Sequence, residues 1–141
     1  KFDVIVCLFS SIGYVKTYPN LRKTMYSFTR HLKKGGILII EPWFTKTSFK
    51  PGMPNMTTYD SRNLKIVRMG ASEIKGTLSI LYMYYLISEK GKGVNFFKDR
   101  HEMGLFDLNR TLQFMRSAGL KSRYLKNGLM KDRGLYFGIK I

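Results

Sequence analysis

The 141-residue chain is poor in cysteine, histidine and acidic residues. A single cysteine excludes a disulfide within the chain, and two histidines do not favour a structural zinc site. No apolar run approaches the roughly 20 residues that a membrane-spanning helix needs. Only 9 acidic residues balance 25 lysines and arginines, so the net charge is +16. That excess indicates affinity for phosphates, or a partner segment that carries the balancing acids, and composition leaves both open.

The first 43 residues predict a strand, a helix and a second strand. Val4–Phe9 is apolar and rich in branched side chains, which predicts a strand buried on both faces. The small-residue loop SSIG follows, and Thr17 with Pro19 predicts a helix start. That helix is expected to end at the segment KKGG, before a second buried strand, Ile37–Ile40. The order strand–helix–strand predicts a parallel pair with a right-handed crossover.

The middle of the chain has a different texture. Residues 44–58 contain prolines and predict a loop. Glycine-containing hairpin signals at 75–76 and 91–93 then separate three β-like stretches, at about 61–73, 77–89 and 94–104. This pattern predicts an antiparallel meander.

The last third predicts a helix and two further strands. Asp107 suits the N-cap of the helix and Gly119 its end, and two strands should follow around a loop at Asn127–Arg133. Two parallel strands are a poor centre for a doubly wound sheet, which normally has five or more. We therefore expect further strands and helices to precede Phe2 in the complete protein.

Four stretches together resemble the second half of class I S-adenosylmethionine-dependent methyltransferases: FDVIVCLFSSIGYV, HLKKGGILIIEPW, DRHEMGLF and RGLYFGIKI. The resemblance is greatest to the N,N-dimethyltransferases that act on nucleotide-linked amino sugars. It implies an α/β fold: the C-terminal part of a doubly wound, Rossmann-like sheet, with an inserted antiparallel β-meander. Residues 1–43 and 106–141 would belong to the core, and residues 44–105 would cover the acceptor pocket.

The same resemblance implies a cytoplasmic enzyme that uses S-adenosyl-L-methionine to methylate a nitrogen of a small-molecule acceptor, with or without a phosphate. The glycine-rich loop of that family does not occur among these residues, because no G-x-G-x-x-G is present. We therefore expect the 141 residues by themselves to bind the methyl donor weakly and to be inactive. The open edge of the first strand should seek a partner, for example another copy of the chain.

The candidate site lies where the two parallel strands end, since ligands of doubly wound sheets bind beyond the carboxyl ends of the strands. By resemblance, Ser10, Ser11 and Ile12 lie near the methionine end of the cofactor, and Tyr14 faces the acceptor. The alternative for this segment is an ordinary turn with a packed tyrosine.

Four further residues complete the candidate site. Glu41 is expected to hold the substrate amine or accept a proton; the alternative for Glu41 is a helix cap or an ion pair. Trp43 is expected to line the pocket, and the alternative for Trp43 is core packing. His101 either lines the acceptor pocket or is a hydrogen-bonded structural histidine. By resemblance, Arg133 contacts a substrate phosphate, and the alternative is an ion pair with an acid such as Asp132. Tyr14, Glu41 and His101 are thus the catalytic candidates, and no metal ligand is predicted.

Two other functions stay open at this point. The charge of +16 allows a methyltransferase that acts on RNA, although the basic residues are dispersed and do not favour a nucleic-acid partner. A non-catalytic binding module with a methyltransferase fold is the other alternative. No membrane partner is expected.

Overall fold

The computed structural model describes residues 1–130 and 133–141. Within them, eight strands, two α-helices and one 3₁₀ turn follow in the order β1 (Phe2–Cys7), the 3₁₀ turn (Ser11–Val15), α1 (Tyr18–His31), β2 (Leu32–Ile40), β3 (Asn55–Asp60), β4 (Leu64–Lys75), β5 (Leu78–Glu89), β6 (Gly93–Gly104), α2 (Leu108–Ser117), β7 (Leu120–Met130) and β8 (Arg133–Lys140). None of the described helices is long and apolar enough to cross a membrane.

The described residues form two compact units. The core unit comprises residues 1–49 and 103–141, and the insertion unit comprises residues 50–102. The division predicted from the sequence, with an insertion over residues 44–105, stays a prediction. The insertion unit of the structure, residues 50–102, lies within that predicted range.

The core unit is built on a four-stranded sheet in the order β1-β2-β8-β7. β1 and β2 are parallel, with Val4 opposite Ile37 and Cys7 opposite Ile40. β8 runs antiparallel to both β2 and β7. The predicted parallel pair and the predicted antiparallel pair of C-terminal strands are therefore confirmed.

The first strand is less buried than its sequence predicts. β1 ends at Cys7, two residues before the predicted end, and Phe9 is 83% exposed. Phe2, Val4 and Val6 are each at least half exposed, whereas Ile5 and Cys7 pack against the core. β1 lies at an edge of the sheet, and the described elements cover only one of its faces. The expectation of burial on both faces is thus wrong for the part of the chain that is described.

α1 begins as predicted but ends earlier. The Thr17 side chain caps it by accepting a hydrogen bond from the backbone N–H of Asn20 at 3.3 Å, and a proline lies in its first turn. Leu21 and Met25 are completely buried one helical turn apart. The helix ends at His31, and KKGG belongs to β2, where Gly35 has φ +76°. The pairing shifts here: Phe2 lies opposite Leu32, but Val4 lies opposite Ile37, so the glycines form an irregular start of a strand and not a helix end.

α2 follows its sequence prediction more closely. The Asp107 side chain accepts a hydrogen bond from the backbone N–H of Arg110 at 2.9 Å, as an N-cap does. Met115 is completely buried, and Gly119 just beyond the helix has φ +89°. The loop predicted at residues 127–133 is wrong over most of its described part, because β7 continues to Met130 and β8 begins at Arg133; residues 131 and 132 lie outside the described residues.

The insertion unit is an antiparallel sheet in the order β3-β4-β5-β6, with one strand more than predicted. The additional strand, β3, lies within and just after the predicted loop 44–58. All six of its residues are exposed, so it shows no alternation of apolar and polar positions that would reveal it. The three predicted strands are confirmed, and their turns carry positive φ at Gly76, Gly91 and Gly93.

Candidate active site

The carboxyl ends of β1 and β2 are tied together by hydrogen bonds. The backbone N–H of Glu41 donates to the carbonyl of Cys7 at 2.9 Å, and the Ser10 hydroxyl donates to the carbonyl of Pro42 at 2.8 Å. Phe9 and Ser10 adopt φ of 52° and 58°, a left-handed conformation that costs free energy in residues other than glycine. The loop after β1 is therefore held in a strained shape at the edge of the sheet where ligands of such folds bind.

Glu41 is the buried carboxylate of this edge. Its side chain is 2% exposed, and its Oε2 accepts a hydrogen bond from the backbone N–H of Phe9 at 2.8 Å. Its Oε1 is buried and has no hydrogen-bond partner in the described part of the chain. Among those residues Glu41 neither caps a helix nor forms an ion pair. One oxygen thus fixes the loop after β1, and the other is a buried acceptor that no described residue satisfies.

Arg133, the first residue of β8, reaches the same edge from the far end of the chain. Its Nη1 donates to the Ser10 hydroxyl at 2.7 Å, and its Nη2 to the sulfur of Met130 at 3.0 Å. The guanidinium lies 5.1 Å from the ring centroid of Phe44 and 5.4 Å from that of Trp43. Its Nε is buried without a hydrogen-bond partner among the described residues. The alternative of an ion pair with Asp132 involves a residue outside the described part.

Aromatic side chains after β2 form one wall of this edge. Trp43 is half-buried, and its ring centroid lies 4.8 Å from Phe44 and 6.1 Å from Phe49. A small cavity of about 40 Å³ opens between Trp43, Phe44, Tyr124 and Arg133. A cavity of that size holds water but no sugar ring. The aromatic side chains after β2 and the guanidinium of Arg133 therefore line the same small cavity at the strand ends.

The 3₁₀ turn contains the remaining predicted residues of this edge. The Ser11 hydroxyl donates to the carbonyl of Leu8 at 2.6 Å, and Ile12 is buried in the core. Tyr14 is 48% exposed. A Cβ atom at Gly13 would lie 3.1 Å from Cβ of Met103 and 3.3 Å from Cβ of Trp43, so the turn leaves little room for a side chain at this position. The roles predicted for Ser10, Ser11 and Ile12 at a cofactor, and for Tyr14 at an acceptor, stay predictions.

His101 belongs to the insertion unit. It lies on β6, half-buried, and its Nε2 is 2.9 Å from Oδ2 of Asp99. This contact supports the structural alternative for His101, while its pocket role stays a prediction. The structure thus brings Ser10, Glu41 and Arg133 together in the core unit and places His101 in the other unit.

Burial keeps two titratable groups of the core unit neutral. It raises the pKa of the Cys7 thiol, and it raises the pKa of the Tyr136 phenol far above its usual value. A thiol or phenol that stays protonated is a poor nucleophile. Glu41 and Arg133 are ionisable side chains that contact the loop after β1 at the strand ends.

Two neighbours of Arg133 were missed from the sequence. Phe44 follows Trp43 directly at the carboxyl end of β2, and that position was a usable signal. Tyr124 lies on β7, and its hydroxyl accepts the backbone N–H of Gly134 at 3.0 Å, a contact that no local pattern indicates.

Comparison with known proteins gives this geometry a family context. No family model matches the chain. A curated relative, the dTDP-3-amino-3,4,6-trideoxy-alpha-D-glucopyranose N,N-dimethyltransferase of Streptomyces venezuelae, is 32% identical over 139 residues. The chain is similar to the C-terminal part of sugar N,N-dimethyltransferases. It spans 58% of the length of this relative, which in turn covers 99% of the chain.

Solved structures support the same relationship. The crystal structure of DesVI from Streptomyces venezuelae superposes with a TM-score of 0.93 at 31% identity, and covers 100% of this chain with 59% of its own. The structure of SAM-bound CalS10, an amino pentose methyltransferase from Micromonospora echinaspora, gives a TM-score of 0.89 over 99% of this chain and 58% of that one. At 23% identity, the second likeness shows the shared fold alone. The methyltransferase fold predicted from the sequence is confirmed.

Proposed function

We propose that the protein carrying this chain is an S-adenosylmethionine-dependent methyltransferase that methylates the amino group of a small molecule, such as a nucleotide-linked amino sugar. The observation that carries the proposal is the 32% identity to a sugar N,N-dimethyltransferase over 99% of the chain. The site geometry supports it, because a buried carboxylate and a guanidinium each hydrogen-bond to the loop after β1, at the carboxyl ends of the parallel strands.

S-adenosylmethionine supplies a methyl group that is already activated as a sulfonium, so the protein mainly has to position the acceptor and exclude water. We propose that Ser10, Ser11 and Ile12 border the methionine end of this donor. The strained backbone of Phe9 and Ser10 fits that role, since such strain is retained mainly at ligand sites. The Ser10 hydroxyl is already engaged by Arg133 and Pro42, so contacts to the donor would come from the backbone of this loop.

The acceptor nitrogen must be neutral when it attacks. In our proposal, Oε1 of Glu41 accepts a hydrogen bond from one N–H of the neutral amine. The Tyr14 hydroxyl accepts a hydrogen bond from another, so that the nitrogen lone pair stays free to attack the methyl group. Trp43 and Phe44 exclude water from one side of the amine. His101 would contribute to the acceptor site as a residue of the insertion unit.

Arg133 is proposed to hold a phosphate of the acceptor. Its Nε has no partner among the described residues, and a guanidinium offers a fork that matches phosphate oxygens. Because its Nη1 contacts Ser10, the bound phosphate would lie beside the loop after β1.

Steady-state kinetics of three variants on a phosphorylated and a phosphate-free acceptor test these roles. Tyr14→Phe should lower kcat by roughly 2- to 13-fold, which corresponds to about 0.5–1.5 kcal/mol for one lost hydrogen bond. Arg133→Ala should raise KM for the phosphorylated acceptor alone, and Arg133→Lys should restore part of the loss. Tyr59→Phe, an exposed tyrosine of the insertion unit, is the matched control.

Three outcomes would contradict parts of the proposal. An unchanged kcat in Tyr14→Phe would show that this tyrosine only packs. An equal rise in KM for the phosphorylated and the phosphate-free acceptor in Arg133→Ala would show that Arg133 does not bind the phosphate. Absence of methyl transfer to any amino sugar by the purified full-length protein would refute the proposed function itself.

The charge of +16 favours one other candidate, the methylation of RNA. Transfer of labelled methyl groups into RNA, in competition with an amino sugar, separates the two. A homo-oligomer remains a further prediction, which sedimentation of the purified protein checks.

A further inference from the structure

A groove of about 550 Å³ lies between helices α1 and α2, and it shares no lining residue with the strand-end site. Its size falls in the range of roughly 300–1,000 Å³ that is usual for small-molecule sites. We call it the helix groove, and its lining residues are Tyr18, Pro19, Arg22, Lys23, Tyr26, Arg110 and Phe114.

The helix groove is positively charged without compensation. Neither α1 nor α2 contains an acidic residue. In the described part of the chain, Arg22, Lys23 and Arg110 form no ion pair with a carboxylate. The nearest acid in sequence, Asp107, points one carboxylate oxygen at the backbone N–H of Arg110. Surface helices normally interleave charges of both signs, so three uncompensated cations in one groove indicate an anionic ligand.

Aromatic rings hold two of these cations in place. The guanidinium of Arg110 lies 3.9 Å from the ring centroid of Tyr18 and 5.7 Å from that of Phe114. The Tyr18 hydroxyl accepts the backbone N–H of Asp107 at 3.0 Å, which anchors that ring. Arg22 lies 5.7 Å from the ring of Tyr26, which is 43% exposed. The groove therefore presents pre-positioned cations beside an accessible aromatic face.

We propose that the helix groove binds a nucleoside phosphate. Its phosphate would contact Arg22, Lys23 and Arg110, because guanidinium forks match phosphate oxygens. Its base would stack on Tyr26 and the exposed edge of Phe114. The site is separate from the strand ends, so the proposal holds whether or not the protein transfers methyl groups.

The test is calorimetric titration of the purified protein with ADP at near-physiological salt. The variant Arg22→Gln/Arg110→Gln removes two groove cations. The control Arg30→Gln/Arg116→Gln removes the same charge from the last turns of the same two helices, outside the groove. We expect the groove variant to raise the Kd for ADP by roughly tenfold or more, and the control to change it by less than about twofold. Thermal melts followed by circular dichroism check that both variants fold.

A second set of measurements tests the aromatic contact. Pyrophosphate and adenosine should each bind more weakly than ADP. Tyr26→Ala should weaken ADP and leave pyrophosphate unchanged. Lys23→Gln, a single change at an exposed residue, should weaken both ligands and serves if the double variant does not fold.

Each contrary result overturns the proposal. Equal weakening in the groove and control variants would mean that ADP responds only to net charge. If pyrophosphate binds as tightly as ADP, the nucleoside does not contribute to binding, and the proposed nucleoside phosphate site is refuted. Binding of an oligonucleotide but of no mononucleotide would indicate nucleic acid instead. Loss of ADP binding in Arg133→Ala but not in Arg22→Gln/Arg110→Gln would move the nucleotide to the strand ends.

Discussion

The hydrogen bond between Arg133 and Ser10 joins the start of β8 to the loop after β1, across 123 positions of the chain. We expect this bond to stabilise the fold by a coupling energy of about 1–2 kcal/mol. Ser10 is fully buried, and its hydroxyl also donates a hydrogen bond to the carbonyl of Pro42. Loss of the bond should therefore loosen the edge of the sheet where the candidate site lies.

The magnitude follows from the charge and burial of the two partners. A hydrogen bond to a charged group contributes about 1.5–3 kcal/mol, and the partial exposure of Arg133 lowers that figure. Arg133→Met keeps an unbranched stem against Trp43 and Phe44 and removes only the guanidinium. Ser10→Ala removes the hydroxyl and leaves the left-handed backbone with a side chain of similar size.

Urea unfolding of the wild type, both single variants and the double variant gives the coupling energy directly. The m-value must stay constant across the four proteins for the comparison to be valid. A matched cycle on an exposed pair of the insertion unit, Tyr82→Phe and Glu73→Gln, should give less than about 0.5 kcal/mol. The reasoning is refuted if the coupling of Arg133 and Ser10 is no larger than that of the exposed pair.

Two further predictions concern the core unit. Cys7 should react with iodoacetamide more slowly than a free thiol near pH 8, because burial raises the pKa of its thiol. As the pH rises, the thiol ionises in the unfolded chain before it ionises in the folded one. The stability that this group contributes is therefore present below the unfolded pKa and is lost as the pH rises through the folded pKa. Alkylation rates against pH in native and urea-unfolded protein check this, and equal rates would contradict it. Leu21→Ala should lower the free energy of unfolding by about 2–5 kcal/mol, since Leu21 is completely buried. Leu129→Ala, at an exposed site, should change it by less than about 0.5 kcal/mol in the same urea experiment. Similar effects of both variants would show that the contacts of Leu21 do not stabilise the core.

Elements with strong local signals were predictable from the sequence. Asp107 and Thr17 mark their helix starts because an N-cap hydrogen bond joins a side-chain oxygen to a backbone N–H only three residues later, so the sequence shows both partners. The glycines of the meander mark its turns because positive φ is a local requirement. β3 has no such signal, since every one of its residues is exposed and only pairing with β4 makes it a strand.

The composition of the site was partly predictable, and its contacts were not. That ligands bind where parallel strands end is a rule of the fold, so Ser10 and Glu41 could be selected from their position after a strand. The bond from Arg133 to Ser10 depends on how β8 pairs with β2, which brings together residues from opposite ends of the chain. The same holds for the Glu41 bond to the backbone of Phe9. Such contacts arise from topology, and no spacing in the sequence encodes them.

Two atoms at this edge suggest why its strain is tolerated. Oε1 of Glu41 and Nε of Arg133 are both buried, and neither has a hydrogen-bond partner among the described residues. Each such group costs a folded protein about 1–3 kcal/mol, and native proteins keep few of them. The two are of opposite character: one accepts from an amine or ammonium, and the other donates to an anion. Under the proposed function, an acceptor that carries both an amino group and a phosphate would satisfy both atoms once this edge opens to it, so the cost borne by the free protein would be recovered on binding.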